Sequence, residues 1–227
     1  MIPNVYPGAF IVVDGIDGCG KSKQFGMIVT WLRNFYSLFD ELGRHIVVVE
    51  TKEPDKNSVY GKAIYVDLAN PQGVHATNLR GFQAWYACDS RENLEEVIVP
   101  GIKAGQVVVS DRFRSSMVYG ALRLDQIEEL MRMNQDILGH LFVWPDVIFI
   151  IDTDVNTAIE RLRKKGRKFD GHEKKAKLET VRKNYQYFAT QYPNCRIIDG
   201  NKSEDKVFEQ IRQILLELLK AKSIIKG

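Results

Sequence analysis

Short apolar runs alternate along the chain with longer stretches in which apolar residues recur every three or four positions. Continuous β-branched runs of this length are typical of strands that are buried on both faces of a parallel sheet. The pattern predicts five strands, over residues 9–13, 45–51, 106–110, 147–151 and 196–200, and the apolar run is shortest in the last of them. Helical periodicity predicts connecting helices over roughly 23–39, 58–68, 75–102, 125–141, 155–165 and 203–224. The pattern therefore predicts an α/β fold with a doubly wound, five-stranded parallel sheet covered by helices on both faces.

The turn between the first predicted strand and the first predicted helix carries a motif with its own chemistry. It is Gly15-Ile16-Asp17-Gly18-Cys19-Gly20-Lys21-Ser22, which matches the phosphate-binding pattern G-x-x-x-x-G-K-[ST]. Glycines let the backbone fold tightly with its N–H groups pointing inward, and the following helix N-terminus adds partial positive charge. Lys21 can then reach the β- and γ-phosphates of a nucleotide, and the Ser22 hydroxyl can bind Mg²⁺. The motif and its context predict a nucleotide-phosphate site.

Composition narrows the classes of protein to consider. With 227 residues, 44% of them hydrophobic, the chain can build one good-sized core, and we expect a single domain over residues 1–227. The net charge of +3 shows no overall nucleic-acid footprint. Three widely spaced cysteines without a C-x-x-C motif favour neither a disulfide framework nor a zinc site. A signal-peptide pattern and a run of about 18 apolar residues are both absent, so we expect a soluble, cytoplasmic protein without a membrane partner.

Polar residues follow the second predicted strand, where Lys52, Glu53 and Pro54 succeed one another. Open α/β sheets bind ligands at the carboxyl ends of their strands. One interpretation is that Lys52 or Glu53 faces a second substrate. The other is a solvated loop, and the sequence does not decide between them.

A charged pair, Asp111 and Arg112, follows the third predicted strand. Charges at the end of a buried strand are costly unless they are used or paired. Asp111 is placed to hold Mg²⁺ through water, and Arg112 can grip a phosphate with two hydrogen bonds. The alternative is a structural ion pair between the two side chains.

Positive charge is concentrated in residues 161–183, which hold eleven Lys or Arg against three acids, a balance of +8 in a chain of +3. Gly166 and Gly171 bracket the run Arg167-Lys168-Phe169-Asp170 and suggest a loop able to move. One interpretation is a lid that closes basic side chains over nucleotide phosphates. A solvated helix face and a nucleic-acid patch are the alternatives, although aromatic residues do not alternate with the basic ones at the centre of the segment.

The order of these motifs resembles the thymidylate kinase family of nucleoside-monophosphate kinases, whose fold is of the P-loop NTPase type. The resemblance extends nearly end to end and rests on residues 10–24, 52–54, 95–100, 111–116, 181–185 and 192–193. Its most specific parts are Asp17 inside the glycine-rich loop and the Asp-Arg-aromatic-x-x-Ser run from Asp111 to Ser116.

The resemblance implies transfer of the γ-phosphoryl group of ATP to a nucleoside monophosphate, foremost dTMP, by a homodimer that uses Mg²⁺. The loop residues would bind ATP, together with Arg161 at the start of a lid over about 161–175. Ser22 and Asp111 would hold the metal. Implied acceptor contacts are Asp17, Lys52, Glu53, Pro54, Tyr86 stacked on the base, Arg91, Arg112, Ser116 and Tyr119. Implied catalytic residues are Asp17, Lys21 and Arg112, with Arg167 and Lys168 in the lid.

The position that reads the base departs from the family pattern. The family's thymine-reading arginine aligns with Ser90, and Arg91 comes one residue later. Neighbouring residues on a helix point about 100° apart. Either the helix is locally shifted so that Arg91 reaches the base, or base selection is relaxed. Because Tyr86 keeps the stacking position, we predict the shift.

Two further positions depart from the pattern. The family's sugar-facing aromatic residue aligns with Gly120, and Tyr119 comes one residue earlier. A basic lid residue of the family aligns with Gly171, and we predict that Arg167 and Lys168 share its role.

The leading hypothesis for the function is an ATP-dependent kinase that acts on dTMP, with nucleotides as partners and no nucleic acid. The alternatives are a kinase for a different nucleoside monophosphate and a phosphate-loop protein that binds nucleotide as a sensor or regulator.

Overall fold

The computed structural model describes residues 2–35, 47–166 and 172–225. Its strands are β1 (Ile2–Pro3), β2 (Ala9–Asp14), β3 (Val48–Lys52), β4 (Val107–Asp111), β5 (Val143–Trp144), β6 (Val147–Asp152) and β7 (Cys195–Asp199). Its α-helices are α1 (Lys21–Phe35), α2 (Val59–Leu68), α3 (Val74–Thr77), α4 (Leu79–Asn93), α5 (Val99–Lys103), α6 (Asp125–Leu138), α7 (Val155–Lys164), α8 (His172–Gln191) and α9 (Glu204–Ala221). A π-helical segment covers Leu94–Ile98, and 3₁₀ segments cover Arg114–Gly120 and Gly139–Leu141.

Five strands form one parallel sheet in the order β3-β4-β2-β6-β7. From β2 the chain crosses to the edge at β3, returns to β4, and then passes to β6 and β7 on the other side of β2. The strand order reverses beside β2, and this switch point is where open α/β sheets bind ligands. The predicted five-stranded, doubly wound sheet is confirmed. A short parallel pair of β1 and β5, which was not predicted, lies outside this sheet.

The central strands explain why the sequence predicts the sheet so well. All of β2 and β4 is buried, and only the last residue of β6 is partly exposed. Helix α1 packs on β2, β3 and β4 and against α9, while α5 packs on β4 and α8 packs on β6 and β7. Each central strand ends in an aspartate, Asp14, Asp111 or Asp152. The covered sheet thus delivers three carboxyl groups to one edge.

The helix predicted over 75–102 is divided in the structure. Asn78, with φ −143° and ψ 77°, ends α3, and its side chain caps α4 by accepting from the Gly81 N–H. Pro100 has no N–H and cannot extend the α-helical ladder, so the π-helical segment precedes it and the Val99 N–H donates to the Leu94 carbonyl. Hydrophobic periodicity does not detect either interruption.

Other boundaries differ by a few residues. Strand β3 begins at Val48 rather than residue 45, and residues 45–46 lie outside the described part of the chain. Helix α6 ends at Leu138 rather than residue 141, because Gly139 adopts φ 54° and stops it. Among the described residues, no helix is long and apolar enough to cross a membrane.

Candidate active site

The glycine-rich loop joins β2 to α1 at the switch point, as the motif predicts. Gly18 has φ 84°, and a Cβ there would lie 2.3 Å from the Ala158 carbonyl oxygen. A side chain at this position would therefore be strained and would push the loop away from α7. The close approach holds the loop in the shape that presents its backbone N–H groups.

A cleft of about 500 Å³ opens in front of this loop. Eight basic side chains and three acidic ones line it: Lys21, Lys23, Lys52, Arg112, Arg161, Lys164, Lys165 and Lys202, with Asp17, Asp111 and Glu204. The excess of positive charge suits a polyphosphate ligand. The structure thus brings the loop, the ends of β3 and β4, and the end of α7 to one cavity.

Three predicted catalytic residues meet at the mouth of the loop. Lys21 Nζ lies 3.3 Å from Asp17 Oδ1 and 3.3 Å from the Ile16 carbonyl oxygen. Arg112 Nη2 donates to the same Asp17 oxygen at 2.6 Å. Asp17 therefore holds the lysine and the arginine side by side, with its own side chain 44% exposed to the cleft.

Arg112 adopts a backbone conformation that few non-glycine residues use, with φ 79°. Strain of this kind costs roughly 1–3 kcal/mol and is concentrated at functional sites. Burial lowers the pKa of the guanidinium, but Tyr119, Tyr185, Asp14 and Asp17 outweigh it, and the pKa is raised well above its ordinary value. Arg112 therefore stays fully charged where a phosphate would lie.

Tyr119, a predicted acceptor contact, binds the phosphate loop in this structure. Its hydroxyl accepts from the Asp17 backbone N–H at 2.8 Å, and its ring lies 5.4 Å from the Arg112 guanidinium carbon. Burial raises the pKa of the Tyr119 hydroxyl, so it stays neutral. Tyr119 supports the arginine and the loop from behind.

Asp14 is a site residue that the sequence reasoning did not assign. The fully buried carboxylate accepts from the hydroxyls of Ser115 at 2.6 Å, Ser116 at 2.9 Å and Tyr185 at 2.7 Å, and from the Gly15 N–H at 2.9 Å. Ser116, a predicted acceptor contact, also accepts from Arg112 Nη1 at 3.3 Å. Asp14 could have been found by the argument that singled out Asp111, since both end central strands.

The predicted metal ligands lie together. Ser22 Oγ is 3.4 Å from Asp111 Oδ2, and Lys52 Nζ is 3.8 Å from the same oxygen. The other carboxylate oxygen, Asp111 Oδ1, is buried without a hydrogen-bond partner. A hydroxyl beside an unsatisfied carboxylate oxygen fits Mg²⁺, which takes few protein ligands and completes its shell with water and phosphate oxygens. The residues present thus fit the metal that the motif implies.

Arg161 reaches the loop from α7. Its Nη1 donates to the Cys19 carbonyl and its Nη2 to the Gly200 carbonyl, both at 3.1 Å, while the side chain lines the cleft. Thr153 Oγ1 donates to the same Cys19 carbonyl at 3.0 Å. Cys19 is 1% exposed, and burial raises the pKa of its thiol, which makes it a small packing residue.

The run from Lys52 to Pro54, at the end of β3, is not a solvated loop. Lys52 is exposed toward Asp111, but Glu53 is 2% exposed and Pro54 is buried. Glu53 accepts from Ser90 Oγ at 2.5 Å and from Asn93 Nδ2 at 3.1 Å. Burial raises the pKa of the Glu53 carboxyl to about 8, against the opposing charge of Arg114. Glu53 is therefore fixed to α4 rather than free in the cleft.

Arg91 does not reach the acceptor side, contrary to the prediction. Its Nη1 donates to the carbonyl oxygens of Ile137 at 2.8 Å and Leu138 at 3.4 Å. These carbonyls end α6, where a cation is favoured by the helix dipole. Helix α4 runs without a shift through Asn93, so Ser90 faces Glu53 and Arg91 faces α6.

Arg114, which the sequence analysis did not assign, is buried beside Ser90. The side chain is 1% exposed, and its Nη1 is 3.4 Å from Ser90 Oγ. Burial lowers the pKa of the guanidinium, and the carboxyl groups of Glu53 and Asp89 oppose that shift. No spacing rule would have found it, because the contact joins α4 to the 3₁₀ segment after β4.

Tyr86, the residue predicted to stack on the base, and Gly120 both pack against residues of α4. Tyr86 is half-buried, packs edge-on against Phe82 at 5.3 Å, and has its pKa raised to about 12 by burial. Gly120 leaves room for Gln83: a Cβ on Gly120 would lie 2.4 Å from Gln83 Cγ. A glutamine from α4 thus occupies the space that a side chain at 120 would take.

The predicted lid residues Arg167 and Lys168, together with Gly171, lie outside the described residues. Beyond them, Arg182 on α8 was not predicted. Its Nε and Nη2 donate to the two oxygens of Asp152 at 2.6 and 3.0 Å. This fork ties the helix after the basic segment to the end of β6.

Comparisons with known proteins agree with the geometry. A family model described as "Thymidylate kinase" matches residues 13–211. A probable thymidylate kinase of Thermococcus kodakarensis is 32% identical over 216 residues, covering 92% of this chain and 98% of the relative. A thymidylate kinase of Thermosipho melanesiensis is 33% identical over 215 residues, with 92% and 98% coverage. A crystal structure of thymidylate kinase from Ehrlichia chaffeensis, 22% identical, shares the fold with a TM-score of 0.63 over 92% of this chain and 98% of that one. The chain belongs to the thymidylate kinase family, whose members phosphorylate dTMP to dTDP with ATP.

Proposed function

We propose that this protein transfers the γ-phosphoryl group of ATP to dTMP. The observation that carries the proposal is the grouping of Lys21, Asp17 and Arg112 in one cleft at the switch point of the sheet. Phosphoryl transfer asks little covalent chemistry of the protein and depends on positioning and on charge neutralisation. Two fixed cations side by side at the phosphate loop supply both.

The donor side binds ATP through the loop. The N–H groups of residues 15–22 and Lys21 hold the β- and γ-phosphates, and Arg161 braces the loop on the adenosine side. Ser22 and Asp111 would hold Mg²⁺, which when bound neutralises charge on the phosphate oxygens. Arg112, which stays charged and is held beside Lys21 by Asp17, contacts the phosphate of the acceptor.

The acceptor attacks through a phosphate oxygen that is already anionic near neutral pH. No side chain is therefore needed to remove a proton, and Asp17 is an orienting group for Lys21 and Arg112. We propose that the base stacks on Tyr86, with Lys52, Glu53, Pro54 and Ser116 shaping the rest of the acceptor site. From the sequence alone we propose that Arg167 and Lys168 approach the transferred group as part of the lid.

The remaining expectations from composition and from the family are also proposals: one catalytic domain over residues 1–227, a cytoplasmic homodimer, and no nucleic-acid or membrane partner. Support for the dimer comes from helix α2, where Val59 and Val66 are each 73% exposed. Light scattering at several protein concentrations tests the dimer, and a monomer at all of them refutes it.

The function is tested by ADP release with ATP, Mg²⁺ and a panel of nucleoside monophosphates. We expect dTMP to be an acceptor and Lys21→Ala to lower the rate by about 10²–10³, the typical effect of removing one such electrostatic contact. The matched control is Lys62→Ala, which removes an exposed lysine on α2 and should leave the rate unchanged. ATP binding without transfer to any monophosphate would instead identify a sensor, and wild-type rates in Lys21→Ala would overturn the assignment.

A further inference from the structure

Arg114, which packs beside Ser90 of α4, has a side-chain nitrogen that makes no hydrogen bond among the described residues. Its Nε donates to Asn134 Oδ1, and its Nη1 approaches Ser90 Oγ at 3.4 Å. Its Nη2 is buried and has no partner among the described residues. A guanidinium has donors only, so nothing else on Arg114 can satisfy this nitrogen.

Buried polar atoms without partners are rare, because each costs about 1–3 kcal/mol and more when charged. In the described part of the chain only two other side-chain atoms share this condition, Gln24 Oε1 and Asp111 Oδ1. Asp111 Oδ1 lies at the proposed metal site, where a ligand would complete it. The same reasoning makes Arg114 Nη2 a donor that awaits a ligand.

The guanidinium is held from two sides, which leaves Nη2 in a fixed direction. Asn134 donates its own amide to the Leu130 carbonyl at 2.6 Å, so its oxygen faces Arg114. On the other side, the Ser90 hydroxyl donates to Glu53 Oε2 at 2.5 Å and is fixed in turn. A donor that is preorganised in this way loses little entropy when it binds.

Arg114 lies beside the face of α4 that carries Ser90, and not at the phosphate loop. Ser90 follows Tyr86 by four residues on α4, so the two side chains share one face of the helix. A base stacked on the Tyr86 ring would extend along that face toward Ser90 and the Arg114 guanidinium beside it. Arg112, not Arg114, lies on the loop side, where it donates to Asp17.

A structural role alone does not explain this geometry. Arg114 is near the carboxyl groups of Glu53 and Asp89, but in the described part of the chain it makes no direct ion pair with either. A countercharge alone would gain most by turning Nη2 to a carboxylate. Instead the side chain contacts an amide and a hydroxyl and leaves one nitrogen, Nη2, without a partner among the described residues.

We propose that Arg114 reads the acceptor base, with Nη2 donating to a carbonyl oxygen on the edge of the base. The inference rests on the proposed function and names the residue that selects its acceptor. Because the fork cannot accept a hydrogen bond, it favours bases with a carbonyl at that edge, such as thymine and uracil, over the amino edge of cytosine. Arg114, at the start of the 3₁₀ segment after β4, thus takes the role for which the Ser90 side chain is too short.

The test measures kcat/KM for dTMP, dUMP and dCMP in wild type, Arg114→Met and Arg114→Lys, at saturating ATP. We expect both variants to lose about 10- to 150-fold in dTMP and dUMP efficiency, the effect of a hydrogen bond to a charged group. The efficiency with dCMP and the KM for ATP should stay within about twofold of wild type, since neither uses the fork. Arg114→Lys keeps the positive charge near Glu53 and Asp89 but removes the guanidinium. If Arg114 served only as a countercharge, this variant would keep the wild-type efficiency with dTMP.

The matched control is Arg91→Ala, which removes a nearby arginine that contacts only α6 carbonyls among the described residues. It should lower thermal stability and leave the dTMP to dCMP ratio unchanged. The proposal is overturned if Arg114→Lys, confirmed as folded by circular dichroism, keeps the wild-type ratio, or if Arg91→Ala alone changes it. Transfer to dTMP by the wild type separates these outcomes from a failure of the proposed function itself. If Arg114→Met does not fold, the ratio in Arg114→Lys decides.

Discussion

Replacing Glu53 by glutamine tests how the ionisation of one buried carboxyl group changes the free energy of unfolding. Glu53 is 2% exposed and accepts from Ser90 and Asn93, and burial raises its pKa from 4.5 to about 8. Glutamine has nearly the same shape and can keep both neighbours hydrogen-bonded, but it cannot ionise. The variant therefore removes a titration without opening a cavity.

The direction in which stability changes with pH follows from the number of protons that Glu53 binds in the folded and unfolded states. Between pH 4.5 and about 8 the native state keeps a proton on Glu53 that the unfolded chain has released. Stability therefore falls as pH rises through this window, by about 2.5 kcal/mol between roughly pH 5.5 and 7.5. Asp89, whose pKa burial raises to about 6, titrates in the lower part of the same window. Its contribution, roughly 0.8 kcal/mol, is common to wild type and variant.

The assay is guanidinium chloride unfolding followed by tryptophan fluorescence at about pH 5.5, 6.5 and 7.5. The stability of Glu53→Gln relative to wild type should rise by about 2.5 kcal/mol across this range, which leaves only the Asp89 slope in the variant. Glu95→Gln, which changes an exposed carboxylate nearby, is the control and should keep the wild-type slope. Equal slopes in wild type and Glu53→Gln would show that Glu53 ionises normally in the folded protein.

Two further changes test the packing around the site. Gly120→Ala would place a Cβ 2.4 Å from Gln83 Cγ and should destabilise the protein by about 1–3 kcal/mol in chemical denaturation. Adding Gln83→Ala should recover stability, and a Gly120→Ala protein as stable as wild type would contradict the close contact. Asp14→Asn replaces an acceptor oxygen among three hydroxyls, so we expect about 1–3 kcal/mol lower stability and a lower kcat, because Arg112 loses a nearby anion. An unchanged kcat would show that Asp14 has no part in positioning Arg112.

The sheet could be predicted from the sequence because its central strands are buried on both faces and appear as uninterrupted apolar runs. The helix breaks at Asn78 and Pro100 could not, since the apolar spacing continues through both while backbone hydrogen bonding does not. The pair of β1 and β5 is two residues long on each side and leaves no periodic signal.

The donor half of the site was predictable because its residues lie directly after predicted strands. The shape of residues 15–22 follows from their glycine-rich motif. Asp111 and Arg112 lie at the end of a strand that the apolar pattern predicts. The acceptor half depends on contacts between distant segments: Asp14 with Tyr185, Glu53 with Ser90, and Arg114 with Asn134. Each pair is 20 to 171 residues apart, so spacing along the chain says nothing about it.

The error at Arg91 shows how packing limits what one helix can do. Moving Arg91 to the place of Ser90 would turn α4 by about 100° and expose the buried Phe82, Ala87 and Asp89 that share its inner faces. A local irregularity does exist, but it lies at residues 94–98, where Pro100 requires it, and it comes too late to turn Ser90. With α4 fixed in register, a guanidinium on the acceptor side has to come from another element. The 3₁₀ segment after β4 supplies it through Arg114. We therefore expect Arg114, and not Arg91, to govern the choice of base.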